Sequence, residues 1–140
     1  MKIEHAIETH AYSGDGFCPL VIRPGWQVSQ LNDRADLHGD TVSQVERHLG
    51  TDEVFVLVKG EATLVVGEES NAGLTVDVLP MERGITYNVR AGVWHTIVTF
   101  PGTHVMIVEK NDTHLADVCR RALSVEERDA LQKKLNAGEE

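Results

Sequence analysis

Four side chains in this sequence combine a suitable type with a suggestive spacing: Glu46, His48 and Glu53 in one short segment, and His95 in another. Glu53 heads Val54-Phe55-Val56-Leu57-Val58, an unbroken run of β-branched, aromatic and bulky residues that reads as a buried strand. Side chains alternate across a strand, so Glu53, Phe55 and Leu57 share one face while Val54, Val56 and Val58 share the other. A carboxylate on so apolar a strand is half-buried, and a buried carboxylate needs a partner. His95 follows the turn at Ala91-Gly92 and opens a strand in which Ile97 and Thr99 share its face. An imidazole beside a carboxylate can hold a metal ion or move a proton, and the partner of Glu53 decides which.

The elements that must position these groups are mostly strands. Ser13-Gly14-Asp15-Gly16 and Pro24-Gly25 are turn clusters around a strand at Phe17 to Arg23, where Pro19 points to a sheet edge. Trp26 to Leu31 alternates as a second strand, and Asn32 to Asp40 is a polar loop. Thr41 to His48 reads as the next strand, with Val42, Gln44, Glu46 and His48 on one face. Lys59-Gly60-Glu61 reverses the chain into a strand at Ala62 to Val66. Leu74 to Met81, Ile85 to Val89, Trp94 to Phe100 and His104 to Lys110 complete about eight to ten short strands separated by turn signals, the pattern of a sandwich or barrel. The tail differs. Ser124-Val125-Glu126-Glu127 is a capping box, and Leu123, Leu131 and Leu135 give a modest apolar stripe, so Val125 to Asn136 reads as one surface helix.

Length and composition narrow the function classes. A chain of 140 residues suits one domain with its own core. A net charge of −9 repels nucleic acid and anionic membrane surfaces, and no apolar run reaches membrane-spanning length. Met1 to His10 lacks the basic-then-apolar design of a signal peptide, so the expected location is the cytoplasm. Cys18 and Cys119 fit no metal or redox spacing and read as two buried thiols.

With the strands in place, the chemical segments resemble the two motifs of the cupin family, double-sheet β-barrels that point ligands inward from neighbouring strands. The first cupin motif has two histidines separated by one residue, a glutamate some four residues on, then six residues and a glycine. Here Glu46-Arg47-His48 is followed by four residues, Glu53, six residues and Gly60. The second motif has a glycine, five residues, Pro-x-Gly, two residues, a histidine, three residues and an asparagine. Here Gly84 is followed by five residues, Arg90-Ala91-Gly92, two residues, His95, three residues and Thr99. Glu46, Arg90 and Thr99 depart from the family's residue types, and the likeness covers Thr41 to Lys110.

The resemblance implies an all-β, cupin-type double-sheet jelly-roll barrel (RmlC-like) with one short C-terminal helix. Residues 1–140 would form a single domain, with the barrel over about 17–110 and the helix over about 125–136. It also implies a homodimer paired through Phe17 to Leu31. By position, His48, Glu53 and His95 would be metal ligands, with Glu46 a fourth. That donor set suits Zn, Mn, Fe or Ni without choosing among them. Two ionised carboxylates sharing the interior need an offset, so either a divalent ion is present or one carboxylate holds a proton. Metal-dependent isomerase, lyase or dioxygenase chemistry on a small polar molecule follows from the first case. A metal-free acid/base lyase or epimerase of ureidoglycolate-lyase type, using Glu46 or Glu53 with His95, follows from the second. A third reading is a non-catalytic small-ligand sensor. Trp94 and Tyr87 are candidates for the pocket mouth, and a pocket rich in Glu and poor in Lys or Arg disfavours phosphorylated sugars. His5, His10, His38, His104 and His114 receive no role.

Overall fold

A computed structural model describes residues 1–138. Among them the chain forms ten strands: β1 (Phe17–Arg23), β2 (Trp26–Asn32), β3 (Gln44–Arg47), β4 (Glu53–Lys59), β5 (Ala62–Ser70), β6 (Gly73–Pro80), β7 (Thr86–Val89), β8 (Trp94–Thr99), β9 (His104–Glu109) and β10 (Cys119–Ala122). These make two five-stranded antiparallel sheets, ordered β1-β2-β9-β4-β7 and β10-β3-β8-β5-β6. From β3 onward the chain crosses to the other sheet at every connection except the β5–β6 hairpin. This is the expected double-sheet jelly roll. The described helices are short 3-10 turns, the single turn α1 (Thr113–Ala116) and α2 (Val125–Ala137). None is long and apolar enough to cross a membrane.

Two apolar layers hold the sheets. Leu31, Phe55, Leu57, Leu64, Ile97, Val105 and Ile107 fill the barrel interior. Val45, Val65, Leu74, Trp94, Val98 and Leu131 form a second layer on the other side of the β3-β8-β5-β6 surface, beneath α2. The alternation read for β4 is what divides it: Glu53, Phe55 and Leu57 are buried inward, while Val54, Val56 and Val58 remain half-buried or exposed. Gly60 sits at φ +75, and a Cβ there would lie 2.6 Å from the Gly102 carbonyl oxygen. Its reversal and the Pro101-Gly102 turn thus touch, which only a glycine permits.

The structure departs from the sequence reading at β3, at β10 and at the two cysteines, among other positions. β3 begins at Gln44 rather than Thr41, because the amides of Thr41 and Val42 both bond the His38 carbonyl and hold that stretch in a turn. Val42 consequently joins Val45 in the second apolar layer instead of sharing a face with Glu46. β10, a short and polar strand, carried no strand signal, yet it pairs with β3 and sets Arg120 opposite Glu46. Cys18 and Cys119 are free thiols, half-buried rather than buried.

α2 is anchored at its start. The Ser124 hydroxyl accepts the Glu127 amide at 3.1 Å, and the Glu127 carboxylate accepts the Ser124 amide at 2.9 Å. The same carboxylate accepts the Leu74 amide at 2.6 Å and two N–H groups of Arg121, at 2.7 and 3.0 Å. One buried side chain therefore ties α2, β6 and β10 together. Glu127→Ala removes those acceptors and leaves the Leu74 amide stranded, which we expect to cost about 2–4 kcal/mol in urea unfolding. A loss under about 1 kcal/mol would show that the anchor contributes little.

Candidate functional site

The two motif segments are locked to each other through backbone and carboxylate contacts. The Gly92 amide, in the turn before β8, donates to the His48 carbonyl at 2.7 Å. The Asp52 carboxylate accepts the Ala91 amide at 2.9 Å and the Asn88 side chain at 3.1 Å. Asp117 clamps the segment from the other side, its carboxylate accepting the amides of Leu49 and Gly50 at 3.0 and 2.8 Å. The loop between β3 and β4 is therefore fixed although it has no regular structure. β3 meets β8 with Glu46 directly opposite His95, so both point into the barrel.

The two imidazoles are oriented alike. His48 Nδ1 lies 2.6 Å from the Asp117 carbonyl oxygen, and His95 Nδ1 lies 2.9 Å from that of Val93. A carbonyl oxygen only accepts, so both Nδ1 atoms carry hydrogen and both Nε2 atoms face inward. There, Glu53 Oε1 lies 2.7 Å from His95 Nε2 and 3.3 Å from His48 Nε2, and the rings meet edge to face at 5.5 Å. His48 Nε2 finds no hydrogen-bond partner despite being buried. Glu46 Oε1 lies 3.9 Å from that same nitrogen, with 37% of its side chain exposed. Glu46, His48, Glu53 and His95 offer donor atoms that all fall within 4.8 Å of one another. With Nδ1 protonated, a neutral imidazole would set its Nε2 lone pair against the carboxylate. The cluster therefore requires an added positive charge, which a proton or a metal ion supplies. Inward lone pairs with their outer N–H groups bound to carbonyls are what a metal ligand set requires, so these residues fit a divalent ion.

All four residues singled out in the sequence converge, and one further acid that the sequence reading missed stands beside them. Glu109, at the end of β9, has its side chain only 1% exposed and its Oε2 3.8 Å from His48 Nε2. The β4–β9 register pairs Val54 with Val108 and Phe55 with Ile107, so its continuation sets Glu109 beside Glu53. Gln27 on β2 lies on the far side of Glu109, donating to its Oε1 at 3.2 Å. His114, left without a role in the sequence, touches Gln27 Nε2 at 3.1 Å. One signal was available. Glu109 continues the inward alternation of Val105 and Ile107, a carboxylate in phase with a buried apolar face.

These groups open onto a cavity of about 220 Å³ lined by Phe17, Leu31, Phe55, Ile97 and Ile107 among others. Trp94 and Tyr87 are elsewhere: Trp94 lies in the second apolar layer with the Arg47 guanidinium 4.4 Å from its ring, and Tyr87 accepts the Glu82 amide. The expected lack of cationic groups is also corrected, since Arg34 and Arg120 both line the cavity. Arg34 is paired with Asp36 at 2.6 Å, whereas Arg120 has no ion-pair partner among the described residues. Thr99, in place of the motif asparagine, anchors the loop above by accepting the Arg34 amide at 3.2 Å and donating to Asp33 at 2.9 Å.

No family model matches the chain, and no curated protein matches it. Similar folds occur among solved structures. A protein from Neisseria meningitidis is 17% identical, with 76% of this chain and 91% of that chain covered at a TM-score of 0.47. KdgF from Halomonas sp. is 12% identical, with 71% and 82% covered at 0.49. A cupin-2 domain containing protein from Shewanella frigidimarina is 17% identical, with 76% and 87% covered at 0.45. The jelly-roll assignment itself rests on strand order and register.

The site's charges titrate far from their usual ranges. Burial disfavours the His48 imidazolium, yet the Glu53 carboxylate, the Asp117 carbonyl and the charge of Glu109 outweigh it and raise the ring to about 9. Burial likewise opposes ionised Glu53, but His48 and His95 draw it down to about 2. These are two ends of one ion pair. Burial, then the charge of Glu53, pushes Glu109 up to about 8. Folded His48 keeps a proton that the unfolded chain releases near 6.5, so its contribution is complete below 6.5 and lost as pH rises through 9. Folded Glu109 keeps a proton that the unfolded chain releases near 4.5, so stability also falls between 4.5 and 8. Glu53 contributes above 4.5 and loses that contribution as pH falls toward 2. Metal-stripped protein should therefore melt highest near about pH 5 and at steadily lower temperature toward about pH 9. A melting temperature that is flat or rising across that alkaline interval contradicts this electrostatic picture.

Proposed function

We propose that this barrel holds a divalent metal ion through His48, Glu53 and His95, with Glu46 as fourth ligand, and performs metal-dependent chemistry on a small polar molecule. One observation carries the reading: two buried imidazoles spend Nδ1–H on carbonyls and aim both Nε2 atoms at one carboxylate. Bound there, the ion would supply Lewis acidity that polarises a carbonyl or activates water or dioxygen, as isomerase, lyase and dioxygenase chemistries each use. The chain's own residues supply the rest. Glu46 is the ligand nearest solvent and so faces incoming substrate. Phe17, Leu31, Phe55 and Ile107 wall the cavity with apolar surface that excludes water. Arg120, across the β10–β3 pair from Glu46 and free of a carboxylate partner, favours a substrate with its own carboxylate. A cavity of about 220 Å³ limits that molecule to a few heavy atoms beyond the anchoring group.

A specific observation favours a second reading, metal-free acid/base chemistry: Glu109 holds its proton to about pH 8 within 3.8 Å of His48. Elemental analysis of protein purified without added metal separates the two. About one equivalent of a divalent ion per chain, falling below roughly a tenth in the His48→Ala/His95→Ala variant, supports the metal centre. Metal-free protein that also fails to take up Mn(II) or Zn(II) in titration, while still turning over a hydroxy-acid or carbonyl substrate, supports the acid/base site.

A further inference from the structure

We propose that Glu109 is itself a metal ligand, a fifth donor that shifts the centre toward oxygen-preferring ions such as Mn(II) and Fe(II). The inference rests on the metal reading above and adds a residue to it from outside both sequence motifs. Glu109 Oε2 is buried without a hydrogen-bond partner, and so is the nearest inward imidazole nitrogen, His48 Nε2, 3.8 Å away. At 3.8 Å this carboxylate oxygen and this imidazole nitrogen are too far apart to hydrogen-bond each other directly, whichever of them holds a proton. A cation between them satisfies both.

The second oxygen of Glu109 explains why the first is free. Gln27, wholly buried, accepts the Asp112 amide at its Oε1 at 2.8 Å, which fixes the orientation of its side-chain amide. Of the two N–H groups this leaves, one donates to Glu109 Oε1 at 3.2 Å and the other faces His114 Nδ1 at 3.1 Å. Asp112 adopts a left-handed φ of 60 to present that amide, a conformation unusual outside glycine. Gln27 is thus a positioning residue: it grips the outer oxygen and leaves the inner one toward the site.

Donor count then sets the preference. Two imidazole nitrogens and three carboxylate oxygens exceed the four ligands that Zn(II) favours and match the six-coordinate oxygen-rich demand of Mn(II), leaving one position for substrate or water. The test uses the wild-type protein, Glu109→Gln and Gln27→Leu, each stripped and titrated calorimetrically with Mn(II) and, separately, Zn(II). Visible absorption of the Co(II)-loaded forms reports coordination number. We expect Glu109→Gln to weaken Mn(II) at least about tenfold and Zn(II) less, and to intensify the Co(II) bands toward the four-coordinate range. Gln27→Leu should weaken Mn(II) by a smaller factor and keep the wild-type spectrum. Glu109→Asp, which keeps the charge and shortens the reach, gives the same reading if the glutamine variant does not fold. Variants indistinguishable from wild type in both affinity and spectrum would overturn the role of Glu109 and leave the four-residue centre standing. Wild-type protein that binds none of the three ions would overturn the centre and the fifth ligand together.

Discussion

Two imidazole N–H groups bonded to backbone carbonyls govern this site. Once the Asp117 and Val93 carbonyls accept the Nδ1–H groups of His48 and His95, both rings must turn Nε2 inward toward Glu53. Had either ring met a hydroxyl instead, which both donates and accepts, its tautomer would be open and the argument for convergent lone pairs would fail. The carbonyls are not incidental. The Val93 carbonyl belongs to the turn that launches β8, and the Asp117 residue also clamps the amides of Leu49 and Gly50. The constraint on chemistry is therefore built from main chain, and few single side-chain changes outside the cluster can relax it.

The same economy appears in how the barrel interior is layered. Across the β2-β9-β4 surface the inward rows run Gln27–Glu109–Glu53, then Ser29–Ile107–Phe55, then Leu31–Val105–Leu57. A polar row caps two rows that are apolar but for Ser29. Facing it from the other sheet are Glu46 and His95, backed by Ile97 and Leu64. The polar groups meet at one end because both sheets place their polar row at the same height. The apolar rows below seal the floor, so charge at the site is exposed to water only on the Glu46 side. That asymmetry strengthens every electrostatic interaction deeper in, including those that raise Glu109 and lower Glu53.

Much of this was legible in the chain. Alternation marked β4, and turn residues marked Gly60, Gly92 and Gly102, all at positive φ. The spacing of Glu46, His48, Glu53 and His95 located four converging groups, because each lies at a strand end whose neighbours have strong β character. What escaped notice depended on pairing between distant strands. β10 reads as polar coil and becomes a strand only because β3 offers it an open edge. Glu109 was readable as an inward carboxylate but not as a neighbour of Glu53, since that depends on a register between strands some fifty residues apart. Gln27 and His114 are more remote still, recruited through β2 and α1. Trp94 was misplaced toward the mouth because alternation gives a face and cannot say which side of that sheet is the barrel interior.

A barrel that gathers three carboxylates and two imidazoles over an apolar floor sacrifices stability to do so, since each buried charge opposes folding unless another compensates it. Burial pushes Glu109 toward its neutral form for this reason, and Glu53 stays ionised only because two rings flank it. Replacing the row with leucine or methionine would satisfy the fold better and leave nothing for a ligand to do. Clamps at Asp52 and Asp117 lie beside the cluster, each carboxylate joining loop segments that the hydrophobic layers do not reach. Stability supplied at the periphery thus compensates strain held at the centre. A cation that binds only the folded arrangement would return part of that cost in proportion to its affinity, coupling occupancy of the site to persistence of the fold.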